Sequence, residues 1–182
     1  MEKKSELQWM FDHGKIRNIM RKNRKKEDPF VYVFLDFDGV INVFYLEGTP
    51  EYYEMLAKGE FEFADRRCVE RINRLHRDFP IRIILSSSWR FSGIPYCTEY
   101  LQNAGLDPEI KIYGMTQTEV FHPREEDIVS YLLEHPDFAG FVVLDDIHMK
   151  HLQAFEVETD PLKGYTEERD LKCREIISGF FK

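Results

Sequence analysis

Short apolar runs alternate with stretches in which apolar residues recur every three or four positions. The run FVYVFLD, residues 30–36, is almost continuously apolar, which predicts a central parallel strand covered on both faces. In ADRRCVERINRLHRDF, residues 64–79, Val69, Ile72, Leu75 and Phe79 fall at helical intervals behind Asp65 as an N-cap. A strand IRIIL follows, then a helix over IPYCTEYLQNAGL closed by Gly105, then a strand IKIYGMT. HPREEDIVSYLLEHP predicts a helix with Pro123 in its first position and Ile128, Val129, Leu132 and Leu133 on its inner stripe. The strand FVVLDD, a short polar turn, the strand AFEVET and a helix over TEERDLKCREIIS, capped by Thr166, complete the series. Near the N-terminus, Ile16, Ile19 and Met20 predict a short amphipathic helix.

Five strands with intervening helices predict an α/β fold, a three-layer, doubly wound parallel five-stranded sheet. The expected division is a basic helical extension over residues 1–28 and one domain over 29–182. An insertion around residues 43–64, between the first strand and its helix, is expected to form a flap or an irregular loop. In doubly wound sheets ligands bind beyond the carboxyl ends of the strands. The first strand ends at Asp36, the second at Ser86, Ser87 and Ser88, and the fourth at Asp145 and Asp146.

Chemistry therefore gathers where the strands end. In FLDFDGVIN, Asp36 and Asp38 are two apart, and side chains two apart on an extended chain point the same way. Like charges that close need a cation or a proton between them, so the stretch reads either as a turn or as a metal-assisted site. Asp36, Asp38, Asp145 and Asp146 together offer hard oxygen ligands of the kind Mg²⁺ takes, often with a substrate phosphate as a further ligand. Ser86 and Ser87 offer hydroxyls and backbone N–H groups for phosphate oxygens, and Gly39 lets the backbone turn tightly beside them. Arg124 has two readings: a solvated arginine, or a cation facing an anionic site that offsets its unfavourable place in a helix's first turn. With these parts Asp36 can attack phosphorus while Asp38 gives a proton to the leaving oxygen and later takes one from water.

Composition narrows the setting. At 182 residues, 43% hydrophobic and 32% charged, the chain can bury one full core. No apolar run reaches the roughly 20 residues that span a bilayer, and the N-terminus lacks a signal peptide's apolar centre. Cys68, Cys97 and Cys173 are far apart and lack ligand spacing, so reduced thiols in a cytoplasmic protein without a membrane partner are expected. The net charge of −8 conceals a split: residues 1–28 carry +4 and the remainder −12. The basic helix is read as a solvated face or, alternatively, as a weak contact for a nucleic-acid backbone. His148 and His151 have no third ligand and are expected to be surface residues.

The ordered set of DxDGV after an apolar strand, a hydroxyl after the second, a basic residue before the fourth and an acidic pair after it resembles the haloacid dehalogenase-like superfamily. FLDFDGVIN, ILSSSWR, FVVLDD and VETDPLKGYT are similar to the small haloacid dehalogenase-like (HAD) domains linked with Swiss-army-knife RNA repair proteins, over roughly residues 30–178. The resemblance implies a Rossmann-like HAD core with a minimal cap and a Mg²⁺-dependent phosphatase. It implies Asp36 as nucleophile, Asp38 as acid/base and Ser86, or else Ser87, as the phosphate-binding hydroxyl. It further implies Arg124 as the basic residue that steadies the phosphoryl group, and Asp145 and Asp146 as the acidic pair that binds metal. Arg90, with Asn42 and Trp89, belongs to the branch signature, and Arg90 is placed among the phosphate-binding residues. Expected substrates are a phosphorylated small molecule, a nucleotide or a nucleic-acid end. The competing readings are a nucleic-acid end-processing or phosphate-binding module, phosphotransfer to another acceptor, and a DxD glycosyltransferase, which requires neither ILSSSWR nor LDD.

Overall fold

The computed structural model describes residues 4–57, 64–117 and 123–182. Five parallel strands form one sheet: β1 (Val31–Leu35), β2 (Ile81–Leu85), β3 (Ile112–Met115), β4 (Gly140–Asp145) and β5 (Glu156–Glu158). Their order across the sheet is β3-β2-β1-β4-β5, so the chain steps outward from β1 and then crosses back to its other side. Leu35 is level with Leu85 on one side and Leu144 on the other. That register brings the residues following β1, β2 and β4 together at the point where the strand order reverses, which is where doubly wound folds bind ligands. Every residue of β1 and β4 is buried, as their continuous apolar runs require.

The helices are α1 (Glu6–Asn23), α2 (Pro50–Ala57), α3 (Arg66–Asp78), α4 (Ile94–Asn103), α5 (Arg124–Glu134) and α6 (Glu167–Ser178). Helix α1 packs on α5, while α6 packs on β4, β5 and α3. Local signals set most boundaries. Asp65 accepts a hydrogen bond from Arg67 N at the start of α3, and Thr166 accepts one from Arg169 N at the start of α6. Pro123 is the N-cap of α5 rather than its first helical residue, because the helical backbone begins only at Arg124. His122 of that predicted segment lies outside the described residues.

Helix α1 starts at Glu6, earlier than its basic stretch, with Ser5 accepting from Gln8 N. Trp9, Ile16 and Met20 enter the core. Asn23 donates to the carbonyls of Pro136 and Phe138, and Arg24 Nε donates to that of Ala139. The basic end of the helix therefore lies beside the start of β4, at the opposite end of the sheet from the acids. Part of the 43–64 insertion forms α2; residues 58–63 lie outside the described residues. The three cysteines are buried and free.

Candidate active site

Asp36 follows β1 directly and is nearly inaccessible to solvent. Its Oδ1 accepts from Phe37 N at 2.8 Å, and its Oδ2 accepts from Arg124 Nη1 at 2.5 Å. The same Nη1 donates to both oxygens of Asp145, at 2.8 and 2.7 Å. Arg124 is thus not a solvated arginine: it joins the acids that end β1 and β4. Burial works against its charge, but the Asp145 and Asp36 carboxylates outweigh that, and its pKa is raised.

Asp145 is wholly buried, and burial together with the Asp36 charge pushes its carboxyl up to about 7. Asp146 is raised by the same two causes in the same order. Oxygens of Asp36, Asp145 and Asp146 lie within 4.8 Å of one another. With all three ionised, the single Arg124 guanidinium leaves two negative charges uncompensated, which fits a divalent cation with hard oxygen ligands. The Asp38 carboxylate is not in this group. Its Oδ1 accepts from Asn42 Nδ2 at 2.8 Å and its Oδ2 from Trp89 Nε1 at 3.0 Å.

Gly39 has φ +75, and a Cβ there would lie 2.5 Å from Asp146 Oδ2. Only glycine meets both the left-handed backbone and the close approach of that acid. The two serines divide. Ser87 Oγ caps the short 3₁₀ turn over Ser88–Ser92 by accepting from Trp89 N. Ser86 Oγ is fully buried and has no hydrogen-bond partner among the described residues. A buried hydroxyl without a partner is costly, so it marks a place for a ligand's polar atom. Arg90 is held by backbone and one acid: Nη1 donates to the carbonyls of Ser86 and Ser87, Nε donates to that of Gln117, which ties the ends of β2 and β3 together, and Nη2 lies 3.6 Å from Asp127 Oδ2.

Residues beyond the expected set also shape the site. Thr159 donates its hydroxyl to the Gly39 carbonyl at 2.8 Å, and Tyr165 N donates to the Val40 carbonyl. The DPLKGYT turn, with Gly164 in the left-handed region, therefore braces the loop after β1. Tyr100 donates to Asn42 Oδ1 at 2.7 Å. The only trace of these roles in the sequence was the VETDPLKGYT stretch; nothing marked Tyr100. His148 faces Glu156 and Glu158, whereas His151 stacks on Trp9 at 4.1 Å, so the two histidines serve separate contacts.

The sheet order and the acids at its reversal point define a doubly wound domain of the haloacid dehalogenase type. Residues 32–169 match the family described as the HAD domain in Swiss Army Knife RNA repair proteins, and the chain belongs to that family. No curated protein and no solved structure matches the chain. No helix among the described residues is long and apolar enough to cross a membrane.

Proposed function

We propose that this domain is a Mg²⁺-dependent phosphatase that hydrolyses phosphomonoesters through an aspartyl-phosphate on Asp36. The observation that carries this reading is the unequal setting of two aspartates two residues apart. Asp36 is held by a guanidinium among acids, while the donors to Asp38 among the described residues are the neutral Asn42 and Trp89 side chains. That division suits one group for attack and the other for proton transfer.

In the first half-reaction an Asp36 oxygen bonds to phosphorus as the bond to the leaving oxygen breaks, and Asp38 supplies the leaving oxygen with its proton. In the second, Asp38 takes a proton from water as that water attacks phosphorus, and Asp36 departs with inorganic phosphate released. Ser86 Oγ donates to a phosphoryl oxygen, with Ser87 kept for the turn. Arg124 holds Asp36 in line and offsets phosphoryl charge. Gly39 leaves room beside the phosphate, and Arg90 shapes the serine turn from behind. Asp36, Asp145 and Asp146 would hold Mg²⁺, with the Asp38 backbone carbonyl as a further ligand; the ion supplies charge neutralisation between phosphate and carboxylates.

Membership among domains of RNA repair proteins favours a nucleic-acid end as substrate over a small sugar phosphate. The basic segment Arg21–Lys26 is about 20 Å from the acids, the length of β4 at roughly 3.3 Å per residue. In this reading it contacts a nucleic-acid backbone at a distance rather than the reacting terminus. The test is hydrolysis of an aryl phosphate with and without Mg²⁺, in the wild type and in Asp36→Asn, followed by a panel of nucleotides, sugar phosphates and phosphorylated RNA ends. Expected is metal-dependent activity lost in the variant. Activity without metal, or activity surviving the substitution, refutes the mechanism.

A further inference from the structure

Asn42 and Trp89 are left without a chemical task by the reaction above, although both stand in the stretches most characteristic of this chain. Each contacts the same carboxyl group. Asn42 Nδ2 donates to Asp38 Oδ1 at 2.8 Å, and Trp89 Nε1 donates to Asp38 Oδ2 at 3.0 Å. Tyr100 OH donates to the other end of the Asn42 amide at 2.7 Å. We infer that Trp89, Asn42 and Tyr100 are positioning residues that aim the Asp38 proton at the leaving oxygen, fitting the site to alkyl phosphates. The inference rests on the phosphatase reading and adds to it a substrate class and three residues.

The reasoning is one of donor and acceptor capacity. An indole N–H can only donate. A side-chain amide can turn either end to a neighbour; here Asn42 Oδ1 accepts from the Tyr100 hydroxyl and its NH₂ end donates to Asp38. Neither partner of Asp38 can therefore receive a proton from it. A carboxyl group has about four lone-pair directions, and these two donors cover one on each oxygen. A proton carried by Asp38 must take one of the remaining directions, out of the network.

The donors are themselves firmly placed. Asn42 is wholly buried, its N donates to the Phe37 carbonyl, and its carbonyl accepts from Gly39 N, both at 2.8 Å. The Trp89 ring packs against Tyr100 at 4.6 Å and Phe37 at 5.5 Å between centroids.

The chemistry predicts which substrates depend on this aim. A p-nitrophenolate leaves as a stable anion, whereas an alkoxide leaves only when its oxygen is protonated as the P–O bond breaks. The experiment measures kcat/KM of the full chain for p-nitrophenyl phosphate and for 2-phenylethyl phosphate. It compares the wild type, Trp89→Phe and Tyr100→Phe, with folding followed by circular dichroism and thermal melting. This ratio covers the steps up to departure of the leaving group, so slow release of phosphate from Asp36 does not mask the effect.

Both variants are expected to lose at least tenfold more on the alkyl ester than on the aryl ester. Equal losses on the two esters, or no loss on either, would overturn the inference. So would a wild type that hydrolyses the aryl ester alone. Should Trp89→Phe fail to fold, Tyr100→Phe carries the test, because it removes a single oxygen. An Asp36→Asn protein that keeps full activity on both esters would instead refute the aspartyl-phosphate mechanism on which the inference rests.

Discussion

Replacing Asp145 by asparagine is expected to stabilise the metal-free protein at pH 8 while abolishing its activity. Asp145 is wholly buried, and its carboxyl is raised from an ordinary 3.8 to about 7, first by burial and then by the Asp36 charge. A displacement of that size corresponds to about 4 kcal/mol of penalty on the ionised folded state. Asparagine has nearly the same shape and keeps an oxygen for Ile147 N, which donates to Asp145 Oδ1 at 3.0 Å. Its NH₂ end, however, faces the Arg124 guanidinium, and an unmet buried donor costs about 1–3 kcal/mol. The expected net gain at pH 8 is therefore about 1–3 kcal/mol.

The pH dependence has a definite sign. Between about pH 4 and pH 7 the folded protein keeps on Asp145 a proton that the unfolded chain has released. Stability from this group is therefore lost as pH rises through that window, and the loss is complete above 7. The Asp145→Asn protein has no such slope. Urea denaturation with a chelator at pH 4.5, 6 and 8 should show the variant gaining on the wild type from each pH to the next. Added Mg²⁺ should then raise the wild-type midpoint at pH 8 and leave the variant's unchanged. A stability difference independent of pH, or a wild type more stable at pH 8 without metal, would refute the reasoning.

Three further perturbations test other parts of the structure. Gly39→Ala forces a Cβ against Asp146 and onto a left-handed backbone; it should cost about 1–2 kcal/mol and raise the Mg²⁺ concentration needed for half-maximal activity. Arg90→Lys keeps the charge but cannot serve the Ser86, Ser87 and Gln117 carbonyls together; a loss of about 2–4 kcal/mol is expected in denaturant titrations, and a loss under 1 kcal/mol would show that the clasp is dispensable. Replacing Arg21, Lys22, Lys25 and Lys26 by glutamine should weaken single-stranded RNA binding and flatten its logarithmic salt slope by about 0.7 for each phosphate no longer neutralised. An unchanged slope would remove the basic segment from the interface.

Most of the fold was legible along the chain because its causes are local. Apolar runs of strand length, three- and four-residue stripes, and capping residues such as Asp65 and Thr166 act within a few positions of themselves. The pairing of DxDGV with a strand end likewise needed only neighbouring residues, so the acids Asp36, Asp38, Asp145 and Asp146 were visible as candidates. Boundaries set by packing were less so: Trp9 draws α1 into the core from outside the basic stretch that announced the helix.

What the sequence alone determined, then, was the set of elements and the residue types at their ends. Only the tertiary structure decided which of those residues meet. Arg124 and Asp36 are 88 positions apart, and Trp89 and Asp38 are 51 apart. Their contacts exist because the chain crosses from β3 back to β4 and sets β1 between β2 and β4 in register. The same arrangement left Ser86 Oγ without a partner among the described residues while Ser87 capped a turn, and carried the basic end of α1 to the end of the sheet opposite the acids. No local pattern records strand order, so a choice between adjacent serines, or between a solvated and a buried arginine, waits for the sheet to assemble.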